Sequence, residues 1–150
     1  MKVLDPVSML LRKKGGDIFS MPSDASVYSA IELMADKRVG ALIVIDDGRL
    51  VGVISERDYA RKIILQGKSS KDTFIREIMT PSPITIHCDT SVDEAMRIMT
   101  QNRIRHLPVI DQAGHIAGVL SIGDLVNWMV SSQDEVIAHL EHYITGDLCH

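Results

Sequence analysis

A chain of 150 residues, 45% apolar and 4% aromatic, makes one ordinary domain or two very small ones with a core of Ile, Val, Leu, Met and Ala. A formal charge of −4 argues against a nucleic-acid partner, because neutralising phosphates takes a basic face. No apolar run approaches the roughly 20 residues of a membrane span, so no membrane partner is expected.

The first stretch, SMLLRKKGG (8–16), is short, apolar and then basic. It lacks the long apolar core and small-residue cleavage site of a secretory signal. Residues 1–15 read as a docking segment. The two cysteines, Cys88 and Cys149, are far apart and form no CxxC pair, which points to a reducing, cytoplasmic setting.

Beyond it the chain repeats. Asp24, Ser26, Val27, Ala30, Met34, Arg38, Leu42, Val44, Ile45 and Asp46 have identical counterparts 65 positions on, from Asp89 to Asp111. After a one-residue insertion in the following turn, Gly52, Val53, Ser55 and Asp58 match Gly118, Val119, Ser121 and Asp124. Two copies of one unit are therefore expected, over 16–72 and 73–132, with TFIREIMTPSP (73–83) as the join.

Within each copy the elements follow in order. DIFSMP and PITIHC are short extended segments. Val27, Ala30, Ile31 and Met34, or Val92, Ala95, Met96, Met99 and Ile104, share a helical face, and Ser91 with Glu94 predicts a capping box. ALIVID and LPVID are too short for a helix and read as strands buried on both faces. Turn signals DDG and QAG lead to a second strand, LVGVI or IAGVL. Ser55 or Ser121 then opens a second helix, with Tyr59, Ile63 and Ile64 or Leu125, Val126 and Met129 as its apolar members. The predicted fold is α/β (α+β): two tandem β-α-β-β-α units of roughly 60 residues, packed through their sheets because neither buries its own sheet face alone. A final helix over Asp134–Ile144 and a tail complete the chain as a separate segment, 133–150.

GVISERDYARK and GVLSIGDLVNW, with SVxxAxxxM and RHLPVID upstream, resemble the signature of cystathionine-β-synthase (CBS) domains. The resemblance runs from Gly16 to about Ser132, and the chain as a whole also resembles stand-alone two-CBS proteins, the Bateman-type module. It implies a pseudo-twofold pair whose clefts bind an adenosine-containing ligand, with AMP the first expectation and NAD the second. It also implies a homodimer that regulates an unidentified target protein.

Site residues follow from the motif and the resemblance together. Ser55 and Ser121 stand where a strand feeds a helix and are expected at phosphate. Asp58 and Asp124, three residues on, offer carboxylates suited to the ribose hydroxyls. The plainer reading of Ser-x-x-Asp is a capping box alone. Phe19, Ser20 and Met21, Thr85, Ile86 and His87, with Gly40 and Ala41, are expected beside the base. Arg57, Arg105 and His106 are expected on the phosphate path, while Arg38 and Arg103 read equally as solvated helix-end cations. The copies differ at these positions, so the two clefts are expected to differ. His139, His142, Cys149 and His150 fit no standard zinc spacing, and no metal is expected. Neither a G-x-G-x-x-G turn, a phosphate-binding loop nor a nucleophile–base set is found, so no enzyme activity is expected. The alternatives are a constitutive oligomeric scaffold without a physiological ligand, and a minor metal- or nucleotide-dependent enzyme.

Overall fold

The computed structural model describes residues 3–15 and 17–131. The C-terminal helix expected over 134–144 and the His/Cys tail lie outside them. The chain is a mixed α/β protein with two sheets and divides into two compact units.

The first-copy unit is continuous, Asp17–Thr85. It runs β1 (Ser20–Met21), α2 (Val27–Lys37), β2 (Ala41–Asp46), β3 (Arg49–Ser55), α3 (Glu56–Tyr59), α4 (Ile75–Ile78) and β4 (Thr80–Pro81). Its sheet order is β1-β2-β3-β4, with β1 parallel to β2 and the other pairs antiparallel. The second-copy unit joins α1 (Val7–Lys14), near the start of the chain, to β5 (Ile86–His87), α5 (Val92–Asn102), β6 (His106–Ile110) and β7 (Ile116–Ser121). A helix whose described part covers 122–131, α6, follows. Its sheet order is β5-β6-β7, with β5 parallel to β6.

The unit boundaries depart from the expected ones, and burial explains why. Residues 1–15 are no free docking segment: Val3, Val7 and Leu10 are 5%, 0% and 4% exposed and belong to the second-copy core. Conversely, Ile75 and Ile78, in the stretch expected to open the second copy, are 0% and 1% exposed in the first-copy core. The helix preceding each copy thus serves the other copy's unit. Each copy lacks enough apolar surface to close its own core, and a stripe at helical spacing supplies the rest.

Locally the chain follows simple rules. Ser26 and Ser91 cap α2 and α5, accepting from the Ser29 and Glu94 N–H groups at 3.1 Å in both cases. The reciprocal half of the expected Ser91–Glu94 box is missing, because the Glu94 carboxylate pairs with Arg97 instead, at 2.6 Å. β2 and β6 are buried on both faces from Ala41 to Val44 and from Leu107 to Val109. The first hairpin turns through Asp47 (φ 50) and Gly48 (φ 76). The second is one residue longer, and Asp111 Oδ1 holds it by accepting from the Ala113 and His115 N–H groups, both at 2.9 Å.

The matched glycines Gly52 and Gly118 make room for the exchanged segments. A Cβ at Gly52 would lie 2.5 Å from Met79 Sδ and 3.0 Å from the Thr80 carbonyl, and one at Gly118 would lie 2.7 Å from Leu11 Cδ2. Gly52→Ala should therefore lower stability by about 1–3 kcal/mol, the range for overfilling a packed site. Gly118→Ala should cost less, since only the far end of Leu11 has to turn. Urea midpoints of the two variants test the order; equal or unchanged midpoints would contradict it.

Candidate nucleotide site

In each unit the backbone brings the start of the central strand and the Ser-x-x-Asp motif together at one end of the sheet. In the first-copy unit Ala41 pairs with Ser55, and the Gly40 carbonyl accepts the Glu56 N–H at 3.0 Å. The neighbouring β1 sets Ser20 beside Ile43 and Met21 beside Val44. In the second-copy unit His106 pairs with Ser121, and the Arg105 carbonyl accepts the Ile122 N–H at 2.8 Å. There β5 sets Ile86 beside Val109 and His87 beside Ile110. Strand start and Ser-x-x-Asp motif therefore converge twice, while the paired residues of the extended segments lie two to four positions further along the central strand. Thr85 closes the first-copy unit and is half-buried, just before β5.

The capping box is present in the first copy. Ser55 N–H and Oγ–H donate to Asp58 Oδ2 at 2.9 and 3.1 Å, and Asp58 N–H returns to Ser55 Oγ at 3.2 Å. The other oxygen, Oδ1, faces Lys62 Nζ at 3.2 Å. In the second copy Ser121 N–H donates to Asp124 Oδ2 at 2.8 Å, and Asp124 N–H to Ser121 Oγ at 3.1 Å. Oδ2 also takes Lys14 Nζ, at 2.7 Å, from α1. Among the described residues Oδ1 of Asp124 accepts no hydrogen bond. Capping and ligand binding are compatible here, because a carboxylate has about four acceptor positions and the cap uses only some of them.

The electrostatics differ between copies. Partial burial pushes the Asp124 carboxyl up, but the Lys14 and Ser121 hydrogen bonds outweigh it and hold it below the ordinary carboxylate range. His106 is held below its usual value, by burial first and then by the Lys14 charge, with Arg105 adding to the effect and Asp124 opposing it. Lys14 thus holds the Asp124 carboxylate directly, and His106 stands within reach of the charges of Lys14, Asp124 and Arg105. In the first copy Gly40 and Ala41 stand in place of Arg105 and His106. Arg57 is exposed on the first turn of α3.

Other expectations need correcting. The Ile86 side chain is 3% exposed in the second-copy core and is not available to a base; only its backbone is. Phe19 and Met21 pack partly on the first-copy core, whereas Ser20 and His87 are exposed. Ile63 is buried as expected, but Ile64 and Val126 are 57% and 45% exposed. The second helix of the first copy also departs from its counterpart, passing from α3 into a π-helical turn, Ala60–Ile64. Trp128, on the same helix as Val126, is half-buried: its indole N–H donates to Asp5 Oδ2 at 3.0 Å, and Lys13 Nζ lies 5.6 Å from its ring. Lys62 was findable, as a cation four residues after Asp58 on a helix. Lys14 carried no such signal.

The model of the CBS domain matches the chain twice, over residues 10–65 and 75–131. The chain belongs to the CBS domain family. The CBS repeats are similar to those of the mitochondrial CBS domain-containing protein CBSX3 of Arabidopsis thaliana, 44% identical over 93% of this chain and 72% of that protein. Among solved structures, a putative signal-transduction protein with CBS domains from Burkholderia ambifaria is 44% identical, with a TM-score of 0.81 over 85% of this chain and 96% of its own. A CBS domain protein from Pyrobaculum aerophilum, complexed with AMP, is 30% identical, with a TM-score of 0.71 over 79% and 88%. Among the described residues of this CBS pair no helix is long and apolar enough to cross a membrane, and no cluster of His, Cys, Asp and Glu is arranged to hold a metal.

Proposed function

We propose that this CBS pair is a regulatory module that binds an adenine nucleotide, AMP first and NAD second, and passes the binding event to a partner protein. The observation that carries the reading is Asp124, which among the described residues leaves one carboxylate oxygen uncommitted beside Ser121, at the sheet end where His106 pairs with Ser121 and the Arg105 carbonyl takes the Ile122 N–H. Ribose hydroxyls are donors and fit the free oxygen; a phosphate fits Arg105 and the Ser121 hydroxyl. Asp58 would serve the same purpose in the first copy, with Ser55 and Arg57 at phosphate. Backbone around Ser20, Met21, Thr85, Ile86 and His87 would meet the base, with Gly40 and Ala41 leaving space for it. The AMP complex of the Pyrobaculum protein supports the ligand class.

The module carries no catalytic role in this reading, and a change in the partner's activity is its output. A homodimer belongs to the same reading. Exposed Ile64, Leu65, Val126 and Val130 are apolar side chains that a second copy would cover. The free Cys88 suits a reducing compartment such as the cytoplasm.

Titration calorimetry with AMP, NAD and adenosine, together with mass spectrometry of nucleotide released from undialysed protein, tests the proposal. AMP should bind more tightly than adenosine, and Arg105→Ala should remove that preference while leaving adenosine binding in place. Equal affinity for AMP and adenosine in the unmutated protein would dismiss the phosphate assignment. Absence of saturable binding by all three would favour the scaffold.

A further inference from the structure

We propose that Lys14 belongs to the second-copy ligand site, where a ribose competes with it for Asp124, so that occupancy is felt by the last turn of α1. The inference rests on the reading of Asp124 as the ribose carboxylate. Lys14 Nζ makes two bonds, to Asp124 Oδ2 at 2.7 Å and to the Val119 carbonyl at 2.8 Å. It spans 110 residues of sequence to do so. Oδ2 already takes the Ser121 N–H, so a pair of hydroxyls bridging both carboxylate oxygens meets Lys14 on the second of them. A cavity of about 200 Å³, bordered by Leu10, Lys13, Asn127 and Trp128, opens beside the pair. It gives a released ammonium a place to go without disturbing the buried Val7 and Leu10.

In the first copy the cation comes from the motif's own helical stretch. Lys62, four residues after Asp58, lies 3.2 Å from Asp58 Oδ1 and donates to the Ile78 carbonyl, at the end of α4, at 2.7 Å. A ligand at Asp58 meets a cation that also holds α4, whereas a ligand at Asp124 loosens the tie between the sheet end and α1. At the end of α1, Gly15 (φ 91) closes the helix with its N–H on the Leu11 carbonyl at 3.1 Å, and this bond reports whether the last turn is held.

Adenosine, which has the diol and no phosphate, is the probe. Saturating the full chain with adenosine should speed amide exchange at Gly15 severalfold. In Lys14→Met that exchange should already be fast and indifferent to adenosine, and adenosine should bind about two- to five-fold more tightly, the scale of releasing one partly exposed ion pair. Lys14→Arg keeps the charge and should behave as the unmutated protein, with circular dichroism confirming that both variants fold. Adenosine binding to Lys14→Met at or below the unmutated affinity, or Gly15 exchange unmoved by saturation, would overturn the role of Lys14 alone. If adenosine does not bind the unmutated protein, or binds Asp124→Ala equally well, the ribose reading falls and this inference with it.

Discussion

Removing residues 1–14 should leave the second-copy unit without most of its stability. Val3, Val7 and Leu10 are almost fully buried in its core. Each buried aliphatic side chain contributes roughly 1.5–3 kcal/mol, so together they supply roughly 4–9 kcal/mol, an upper range because the unfolded chain is not fully extended. A domain of this kind is stable by only about 5–15 kcal/mol. The truncation also strips the Trp128 indole of Asp5 and the Asp124 carboxylate of Lys14. Amide exchange should become fast across residues 86–131, while the first-copy core around Met34, Leu42 and Ile54, which has no member from this segment, keeps its protection. Val7→Asp, a buried charge without a partner, should do much the same with one substitution. Unchanged protection after either change would show that α1 is dispensable.

The other large effect is expected at Asp124. Asp124→Ala should weaken nucleotide binding in the second copy by roughly 1.5–3 kcal/mol, about ten- to 150-fold, the scale for losing charged hydrogen bonds. The fold should survive with a capping loss of about 1 kcal/mol, since Ser121 N–H loses its acceptor. Asp124→Asn separates the two roles: its amide oxygen still accepts from Ser121, so stability is kept, but the neutral group holds the hydroxyls less strongly. Calorimetry on both variants and on Asp58→Ala, compared with melting curves, gives the result. A double Asp58→Ala, Asp124→Ala protein that binds AMP as before would remove the ribose assignment altogether.

Much of this molecule was legible because local rules carry it. The serine cap of α5, the doubly buried strands and the hairpin turns are each set by residues within a few positions of one another, and the repeat shows as a constant offset between identical residues. The Ser-x-x-Asp box was legible for the same reason. What escaped was long-range. Nothing in SMLLRKK says which copy its apolar stripe will cover, and Leu10 reads the same on a docking helix as in a core. Thr80 and Pro81 carry no strand signal, yet they pair with Val53 and Gly52 as β4 because α4 delivers them to that edge. The burial of Ile86 is set by Val109, its sheet neighbour far along the chain, and so leaves no local mark in the sequence. Glu94 left its cap because Arg97, one turn away, competes for the same carboxylate.

The exchange of helices between copies bears on how the protein is made. The first-copy unit is one continuous run, 17–85, and can close as soon as it clears the ribosome. Helix α1 is synthesised earlier but finishes later, because its partners extend to the helix over 122–131. At about 5–20 residues per second, its apolar stripe stays uncovered for roughly 5–25 s. In that interval Val7 and Leu10 are open to chaperones, or to the same stripe on a neighbouring nascent chain. Slower translation through residues 86–131 should therefore lower the soluble yield more than the same slowing applied within residues 17–85.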